Sequence, residues 1–410
     1  MAEEKNTIPV IIFGGHIAGY GVIRALSRHR IPIYLVCSDS AALCRRSRFV
    51  KNTLVLPCDS ANFIERFKSW AERVVGPEAI LMVAGEDGYL DILSQQLLGL
   101  PQRYRLTFPS WEIVQLVRNK RYAYQIAADL NIPIPKTYYI TSEDELRELI
   151  KNGIDAKPPF LMKSEDSSLF LKQYQTKGVI CEKESELLDK YNKYNGFFGK
   201  LLLQEMIPGG EENLLNFIIT LNRNSDPTAV FINRKRRSTR QFLSCTLMES
   251  CWSEVNVIEG VLRLLKKIAY YGYVNPELKY DSRDKKYKLV EINGRVSMSN
   301  SHALKCGCNT PLLMYQEAVK RSPAPLKEVR QSYQDNILWW YPAGDMSAVL
   351  NLFKNKQFSF VKFLKSLCGK GYIIEPFNLR DPFPALFNIF GIILYPFSKI
   401  KSIFVAESKI

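Results

Sequence analysis

The spacing of apolar residues over the first hundred positions predicts buried strands that alternate with helices. Three continuous apolar runs have the length of strands buried on both faces of a parallel sheet: 8–13, 31–36 and 79–83. The first run leads into a glycine-rich turn at 14–21, and helical spacing follows it. Strand, loop and helix in this order predict a doubly wound α/β domain over residues 1–110.

Ligands of such a domain bind beyond the carboxyl ends of its strands. The residues that follow the first and third apolar runs are therefore candidate lining residues: His16, Ile17, Glu86 and Asp87. The glycines at 14–21 lack the Gly-x-Gly-x-x-Gly spacing of dinucleotide-binding loops, which argues against an oxidoreductase. In an alternative interpretation the glycines serve tight backbone turns and bind no ligand.

The middle of the chain predicts two small α+β units. A helix over 111–130 is ended by Pro133 and Pro135, because proline cannot continue the hydrogen-bond ladder. Strand-like and helix-like segments then alternate over 137–212, and a second unit extends over 213–321. Two such units with a cleft between them would enclose a nucleotide.

The second unit contains candidate metal ligands on a predicted hairpin. Short strands at 274–281 and 288–295 flank a polar turn. Glu291 and Asn293 share a strand face, because side chains at i and i+2 do, and Glu277 would lie across from Glu291. Three hard oxygen donors suit Mg²⁺ that carries nucleotide phosphates, with Mn²⁺ as an alternative. The hairpin therefore predicts a phosphoryl-transfer site.

Charge and cysteine content narrow the class of protein. The formal net charge of +15 and the pI of 9.3 predict anionic partners, which include nucleotides, anionic lipid and nucleic acid. No nucleic-acid-binding motif occurs, so a nucleotide is favoured and nucleic acid is not expected as a partner. Nine cysteines without a CxxC pair are typical of reduced thiols. No hydrophobic signal run follows the charged start of the chain, which predicts a cytoplasmic location.

The last eighty residues are rich in aromatic side chains and poor in charge. Their apolar run at 385–397 is shorter than the roughly 20 residues that a membrane span needs. Lys399, Lys401 and Lys409 follow it, so one hypothesis is a peripheral membrane contact through this tail. The other hypothesis is that the tail packs on the body of the protein.

The chemistry-bearing residues occur in an order that resembles the ATP-grasp superfamily. The resemblance extends from about residue 8 to 325 and includes, in order, Lys120, Lys163, 204–213, Glu277, 291–293 and Arg295. Within the superfamily the sequence is similar to carboxylate–amine ligases of the D-aspartate ligase type. Three segments carry that likeness: 85–89, 133–136 and 274–295.

The resemblance implies a fold, cofactors and partners. It implies a Rossmann-like N-terminal domain at 1–110, an ATP-grasp fold of two α+β subdomains at 111–325, and a C-terminal extension at 326–410. ATP and Mg²⁺ are the expected cofactors. A small-molecule carboxylate and an amine are the expected substrates, and the basic surface favours an anionic or nucleotide-linked acceptor. The resemblance also makes a homodimer reasonable.

The resemblance further implies roles for the residues that bind the nucleotide. Lys120 and Lys163 resemble the two lysines that hold the ATP phosphates. The hinge whose backbone binds adenine corresponds to three consecutive residues: Glu205, Met206 and Ile207. Glu211 or Glu212 resembles the carboxylate that accepts the ribose hydroxyls.

Other residues correspond to the metal site and to the reacting groups. The implied Mg²⁺ ligands are Glu277, Glu291 and Asn293. Arg295 resembles the guanidinium that steadies the γ-phosphate or the acyl phosphate, a role that suits its planar fork. Arg240, in a basic segment, is a candidate for binding phosphate or an anionic substrate, as are Arg234 and Arg237. His302 is a candidate for orienting a substrate or taking a proton from the amine, and its alternative is a structural histidine.

The implied reaction is the ATP-dependent joining of a carboxylate to an amine through an acyl phosphate. Such catalysis rests on positioning and charge neutralisation, which agrees with a chain that contains three histidines. Two alternatives are a carboxylase or carbamoyl-phosphate-type enzyme of the same superfamily and a non-catalytic nucleotide-binding protein. The chain departs from the family pattern at 164–170, where the expected glycine-rich phosphate loop is missing, and at 233–240, where a glycine is missing.

Overall fold

The structure, a computed structural model, describes most of the chain. The described residues are 7–165, 167–194, 200–239, 245–252, 256–319, 325, 333–354 and 360–389. Their strands form three sheets of five, four and seven strands. Clusters of buried apolar side chains join these sheets to their helices.

The five-stranded sheet is parallel and has the strand order β3-β2-β1-β4-β5. Its strands are β1 (Val10–Phe13), β2 (Ile33–Cys37), β3 (Val50–Val55), β4 (Ala79–Val83) and β5 (Tyr104–Leu106). The helices of this unit are α1 (Ile17–Leu26), α2 (Phe63–Val74) and α3 (Asp87–Gln95). Every residue of β1 and β4 is buried, as their apolar sequences predict. Gly14 has a φ of +125°, and a Cβ there would lie 1.8 Å from the carbonyl oxygen of Ala84, so this turn requires glycine.

The predicted helix at 111–130 is divided into two helices. They are α4 (Trp111–Arg118) and α5 (Lys120–Asp129). Asn119 between them has an extended backbone, and its side chain accepts a hydrogen bond from the Arg121 amide. Asparagine is a favoured N-cap because its oxygen satisfies a free amide of the first turn. The break places Lys120 at the start of α5.

The four-stranded sheet has the order β6-β9-β7-β8. Its strands are β6 (Thr137–Ile140), β7 (Phe160–Ser164), β8 (Val179–Cys181) and β9 (Leu201–Glu205). Its helices are α6 (Glu143–Asn152), α7 (Ser167–Tyr174) and α8 (Leu187–Lys193). The alternation predicted for 137–212 is confirmed, apart from α7, which the sequence analysis does not predict.

The seven-stranded sheet has the order β14-β13-β10-β11-β12-β15-β16. The strands that precede residue 300 are β10 (Leu214–Leu221), β11 (Pro227–Ser238), β12 (Cys245–Ser250), β13 (Gly272–Asp281) and β14 (Lys286–Asn293). The helices of this unit are α9 (Asn256–Lys267), α10 (Asn300–Lys305) and α11 (Thr310–Ala318). The predicted hairpin is present, since β13 and β14 pair antiparallel.

The described part of the C-terminal segment completes this sheet. It contains β15 (Ile337–Trp340), α12 (Pro342–Lys354), α13 (Phe360–Ser366) and β16 (Gly371–Ile374). Two buried carboxylates connect it to the five-stranded sheet and its helices, called the first unit below. Glu375 Oε2 lies 3.2 Å from Arg24 Nη2, and Asp381 Oδ2 accepts a hydrogen bond from Ser47 Oγ at 2.5 Å. Packing on the body therefore holds for these residues, whereas most of the predicted anchor at 385–397 lies outside the described part. Among the described helices, none combines the length and apolar character that crossing a membrane requires.

Candidate nucleotide and metal site

One face of the seven-stranded sheet carries the polar side chains of the candidate site. In the β13–β14 hairpin, Glu277 pairs with Glu291 and Asn275 pairs with Asn293. Directly paired residues of an antiparallel sheet project on the same face. Asn216 of β10 pairs with Glu277 and extends this face to a third strand. The hairpin therefore brings the two predicted metal-binding carboxylates together.

Lysines of two elements, α5 and β7, approach Glu291 of β14. Lys120 Nζ, at the start of α5, lies 3.3 Å from Glu291 Oε1. Lys163 of β7 is buried, and its Nζ donates to Gln204 Oε1 at 2.8 Å. The Lys163 ammonium also lies 5.9 Å from the centre of the Tyr124 ring. Two buried lysines and one carboxylate thus meet where the four-stranded sheet faces the hairpin.

The electrostatics of this cluster favour binding of an anion. Burial alone would raise the pKa of Glu291, but the Lys120, Lys177 and Lys163 cations outweigh it and lower that pKa well below its usual range. Burial lowers the pKa of Lys163 to about 8, although Glu291 opposes the effect. Burial likewise lowers the pKa of Lys120. Three cations against one carboxylate leave positive charge for a phosphate to neutralise.

Lys177 is a site residue that the sequence analysis missed. It lies in the loop before β8, and its charge acts on both Glu291 and Asp87. The adjacent Gly178 fixes that loop against β7, because a Cβ at 178 would lie 2.9 Å from a methyl carbon of Leu161. A lysine beside a glycine, after the segment where a phosphate loop is expected, is the signal that could have found it.

Lys235 of β11 is the second residue that was missed. Its Nζ lies 2.8 Å from Glu277 Oε2. Burial would lower the pKa of Lys235, but Glu277 outweighs it and raises that pKa. From the sequence, the neighbouring arginines were the expected ligands of this basic segment. Arg237 is buried in an ion pair with Asp345, with Nε 2.6 Å from Oδ1, so the expectation that it binds substrate is wrong.

Two further expectations for the basic segment have different outcomes. Arg234 Nη1 lies 3.8 Å from Glu249 Oε1, on the strand next to β11, so a protein carboxylate already faces it. Arg240 lies outside the described residues, and its role stays a prediction.

The oxygen donors of the hairpin fit Mg²⁺. Glu277 and Glu291 supply two carboxylates, and Asn293 supplies an amide oxygen two residues from Glu291. Mg²⁺ commonly takes one or two carboxylates and completes its shell with water and substrate phosphates. In the part of the chain that the structure describes, no group of three or more His, Cys, Asp and Glu residues forms a metal centre. Two carboxylates and one amide oxygen would leave coordination positions for water and phosphate.

Arg295 connects the hairpin to the first unit. Its Nε lies 3.0 Å from Asp87 Oδ1 at the start of α3. Burial alone would raise the pKa of Asp87, but Arg295 and Arg118 outweigh it and lower that pKa. The backbone joins the same regions, because the Gly85 amide donates to the Val296 carbonyl at 3.0 Å. The carboxyl end of β4 is thus fixed beside Arg295.

The candidate lining residues of the first unit have different environments. Glu86 precedes α3, and its Oε1 is buried with no hydrogen-bond partner among the described residues. His16 is exposed before α1. Ile17 is buried in the apolar core, so the expectation that it lines the site is wrong.

The hinge after β9 is held by a buried carboxylate. Glu205 Oε1 accepts from Lys288 Nζ and from the Lys136 amide, both at 2.9 Å. Its Oε2 accepts from Arg283 Nη2 at 2.8 Å. The Glu205 side chain therefore positions the hinge through both of its oxygens, and the Glu205 amide itself donates to the Lys136 carbonyl at 2.9 Å. The next amide, that of Met206, donates to the Pro159 carbonyl at 3.2 Å.

The segment that follows the hinge carries the two candidate ribose ligands. Lys279 Nζ donates to the Ile207 carbonyl at 2.9 Å and so fixes this segment on β13. Glu211 Oε2 accepts from Ser238 Oγ at 2.8 Å. Glu212 Oε1 accepts from the Gly210 amide at 3.3 Å. Both carboxylates are thus held by local donors, and the assignment of either to a ribose stays a prediction.

Comparison with known proteins places the fold. No family model matches the chain. D-aspartate ligase from Enterococcus faecium (strain Aus0004) is 24% identical over 344 residues, which cover 78% of this chain and 79% of the relative. The L-amino acid ligase from Bacillus licheniformis superposes with a TM-score of 0.57 at 13% identity and covers 79% of this chain and 78% of its own.

A second similar structure was solved with nucleotide bound. It is the biotin carboxylase domain of 2-oxoglutarate carboxylase from Hydrogenobacter thermophilus, in complex with MgADP, ADP and bicarbonate. Its TM-score is 0.58 at 16% identity, over 81% of this chain and 74% of that chain. The chain has the ATP-grasp fold. The predicted architecture, a Rossmann-like domain followed by an ATP-grasp fold of two α+β subdomains, is confirmed.

In this ATP-grasp fold, His302 lies outside the charged cluster. It is fully buried, its Nε2 lies 2.9 Å from the Ile337 carbonyl oxygen, and its Nδ1 lies 3.4 Å from Asn233 Nδ2. Burial lowers its pKa to about 3, so the ring is neutral at pH 7. This environment favours the structural alternative over proton transfer.

A buried row of asparagines underlies the ATP-grasp site and was also missed. Asn275 Nδ2 donates to Asn216 Oδ1 at 2.8 Å, and Asn216 Nδ2 donates to Asn233 Oδ1 at 3.0 Å. Asn233 reaches His302, so the row connects the metal hairpin to α10. Fully bonded polar networks of this kind fix the positions of their members. One asparagine directly after an apolar stretch in each of β10, β11 and β13 was the available signal.

Proposed function

We propose that this chain is an ATP- and Mg²⁺-dependent carboxylate–amine ligase. A substrate carboxylate oxygen attacks the γ-phosphorus of ATP, the bond to the β-phosphate oxygen breaks, and an acyl phosphate and ADP result. The amine nitrogen then attacks the acyl carbon and loses a proton, and inorganic phosphate leaves. The products are an amide, ADP and phosphate.

The charged cluster on the hairpin is the observation that carries this proposal. Four lysines surround two carboxylates that face each other across two strands: Lys120, Lys163, Lys177 and Lys235. Phosphoryl transfer needs positioning and charge neutralisation, and it needs no protein nucleophile. The likeness to D-aspartate ligase and to an L-amino acid ligase supports the same reaction class.

The residues of the cluster have separate tasks in this proposal. Glu277, Glu291 and Asn293 hold Mg²⁺, which neutralises charge on the transferring phosphate when it is bound. Lys120, Lys163 and Lys177 bind the phosphates, and Lys235 exchanges its contact with Glu277 for a phosphate oxygen. Arg295 steadies the acyl phosphate from the opposite side, where Asp87 holds its guanidinium in place.

The nucleoside lies along the hinge. The backbone of Glu205, Met206 and Ile207 binds adenine, and Glu211 or Glu212 accepts the ribose hydroxyls. The buried contacts of the Glu205 side chain support this assignment, because they hold the hinge rigid at the end of β9. Rigid placement lowers the entropic cost of binding.

The amine lies beside the first unit. A buried carboxylate oxygen without a hydrogen-bond partner is costly, and Glu86 Oε1 is such an oxygen among the described residues. An amine or ammonium N–H would satisfy it within the region that Asp87 and Arg295 define. The similarity to D-aspartate ligase makes an amino acid, aspartate first, the leading candidate for the carboxylate substrate.

The remaining parts of the proposal concern the acceptor, the location and the assembly. The formal charge of +15 supports an amine-bearing acceptor that is itself anionic, such as a nucleotide-linked compound. We place the reaction in the cytoplasm, where ATP is produced. A homodimer remains a prediction from the family resemblance.

The test is capture of the acyl phosphate with hydroxylamine. The protein is incubated with ATP, Mg²⁺, hydroxylamine and a panel of amino acids, hydroxy acids and bicarbonate, and hydroxamate is measured with ADP. One acid of the panel should give hydroxamate. Glu291→Gln should abolish the product without loss of fold, whereas the matched exposed change Asp155→Asn should retain it. ADP formation that depends on bicarbonate, without hydroxamate from any organic acid, would replace this function with a carboxylase.

A further inference from the structure

The large apolar side chains exposed to solvent are concentrated in the C-terminal segment. Elsewhere in the described part of the chain such exposure is limited to Val55 and Tyr122. We call the exposed set the C-terminal apolar face; its members are Met346, Leu350, Phe360, Val361, Leu364, Tyr372, Ile374, Phe377, Leu379, Phe383, Leu386 and Ile389. Leu379 is 85% exposed and Phe360 is 66% exposed. A concentration of exposed apolar side chains in one segment marks a candidate interaction site.

The spacing of these residues places them on one side of each element. On α12, Met346 and Leu350 are four residues apart, and α13 repeats this spacing with Phe360 and Leu364. A helical segment at 383–389 carries its exposed apolar residues at three-residue intervals. Residues three or four apart share a helix face. Each helix therefore has one apolar side that the body of the protein does not cover.

Contacts between the elements place them next to one another. Arg237 pairs with Asp345 of α12, and its guanidinium carbon lies 5.5 Å from the ring centre of Phe363 in α13. Asn388 Nδ2 lies 3.5 Å from Tyr341 Oη, which joins the 383–389 helix to the start of α12. The two helices and the 383–389 segment are thus neighbours on the surface.

The exposed charge that residues 341–389 themselves contribute has one sign. The carboxylates described between 341 and 389 are all buried with protein partners: Asp345, Glu375 and Asp381. Lysines and arginines of the same segment are exposed, among them Lys365, Lys370 and Arg380. Arg46 of the first unit adds to them, since its guanidinium carbon lies 4.7 Å from the ring centre of Phe387. Apolar surface with a cationic rim matches the interface of an anionic membrane.

We propose that the C-terminal apolar face docks this protein on the surface of a bilayer rich in anionic lipid. The apolar side chains enter the boundary between headgroups and acyl chains, and the cations contact lipid phosphates. In this arrangement the protein lies on the bilayer surface; none of the described helices is long and apolar enough to cross it. A second copy is a poorer occupant, because two faces with the same cationic rim repel each other. The sequence at 390–410 continues the pattern with three lysines and one glutamate.

Vesicle flotation of the full-length protein tests this proposal. Vesicles of phosphatidylcholine alone are compared with an equal mixture of phosphatidylcholine and phosphatidylglycerol. The protein should float with the mixed vesicles only. Combined Phe360→Ser, Leu364→Ser and Leu379→Ser should weaken partition by at least about tenfold. Combined Lys365→Glu, Lys370→Glu and Arg380→Glu should weaken it on the order of 100-fold, since each cation contributes about fivefold.

Matched controls separate docking from general effects. The first control, Val55→Ser with Tyr122→Ser, removes exposed apolar side chains outside the C-terminal apolar face. The second control, Arg66→Glu with Arg73→Glu and Lys151→Glu, changes the net charge by the same amount as the charge variant of the face. Both controls should leave flotation almost unchanged. Thermal unfolding and ADP formation check that each variant is folded. The proposal is overturned if the wild type ignores mixed vesicles or if the serine variant floats like the wild type, which would assign binding to 390–410. It is also overturned if the wild-type protein is a dimer that does not float with either kind of vesicle and the serine changes dissociate that dimer.

Discussion

Replacing Lys163 with methionine removes an ammonium group that the fold disfavours. Burial lowers the pKa of Lys163 from 10.5 to about 8, a difference that corresponds to about 3 kcal/mol of stability. The substitution also leaves Gln204 Oε1 without its 2.8 Å donor, which costs about 2 kcal/mol. We therefore expect Lys163→Met to be about 1 kcal/mol more stable than the wild type at pH 7.

The sign of this effect depends on pH. Below pH 8, Lys163 is charged in the folded and in the unfolded protein, so the full burial penalty is present. Between pH 8 and 10.5 the folded protein holds the group neutral while the unfolded chain still binds a proton, so wild-type stability rises with pH. The advantage of Lys163→Met should therefore shrink across this range.

Denaturant unfolding at neutral and at alkaline pH measures the change in free energy of unfolding. Lys157→Met is the matched control, because Lys157 is exposed just before β7. Calorimetry then measures ADP binding by Lys163→Met and by the wild type. Loss of a charge-assisted phosphate contact should weaken ADP binding about 10- to 100-fold. A Lys163→Met protein that is less stable at pH 7 and binds ADP normally would refute the assignment of Lys163 as a buried phosphate ligand.

Three further predictions concern residues around the site. Asp345→Ala should lower the free energy of unfolding by about 3–5 kcal/mol, because it removes the carboxylate that pairs with the buried Arg237 guanidinium; chemical denaturation measures this loss. Burial would raise the pKa of Glu205, but the Lys136 amide and Lys288 lower it, so its stabilisation is present at neutral pH and lost in acid. Glu205→Gln should accordingly flatten the acid limb of a stability–pH profile, and an unchanged limb would refute this role. Lys235→Met should reduce kcat for ADP formation on the order of 100-fold, whereas Arg234→Met should not; equal activities would exclude Lys235 from the phosphate site.

Local patterns were sufficient for much of the fold. The buried strands β1 and β4 follow from continuous apolar runs, and the hairpin follows from two strands around a polar turn. The alternation of strand-like and helix-like segments over 137–212 likewise predicts β7, where Lys163 is buried beside Gln204. Such features depend on neighbours within a few residues, so the sequence alone carries them.

Features that depend on distant residues could not be predicted in this way. Lys235 is a site residue because β11 pairs with β10, which in turn pairs with β13 and its Glu277. Nothing within the basic segment distinguishes Lys235 from Arg237, which the fold directs into a buried ion pair with Asp345. The helix break at Asn119 had a local signal, since asparagine is a common N-cap, but helical spacing on both sides concealed it.

The C-terminal segment shows the same limit at a larger scale. Its aromatic residues were compatible with a membrane contact or with the core. The structure divides them, because Trp339 is fully buried whereas Phe360, Phe377 and Phe383 are exposed. That division depends on β15 pairing with β12, which lies far earlier in the chain, and on β16 pairing with β15.

Transfer of a labelled oxygen tests the central claim most directly. The carboxylate substrate is labelled with ¹⁸O, the protein is supplied with ATP, Mg²⁺ and an amine, and the released phosphate is analysed by mass spectrometry. If the carboxylate attacks the γ-phosphorus, each phosphate released with amide formation carries one ¹⁸O atom from the acid. Amide formation with unlabelled phosphate would contradict the acyl-phosphate mechanism and the tasks assigned to Arg295 and the hairpin.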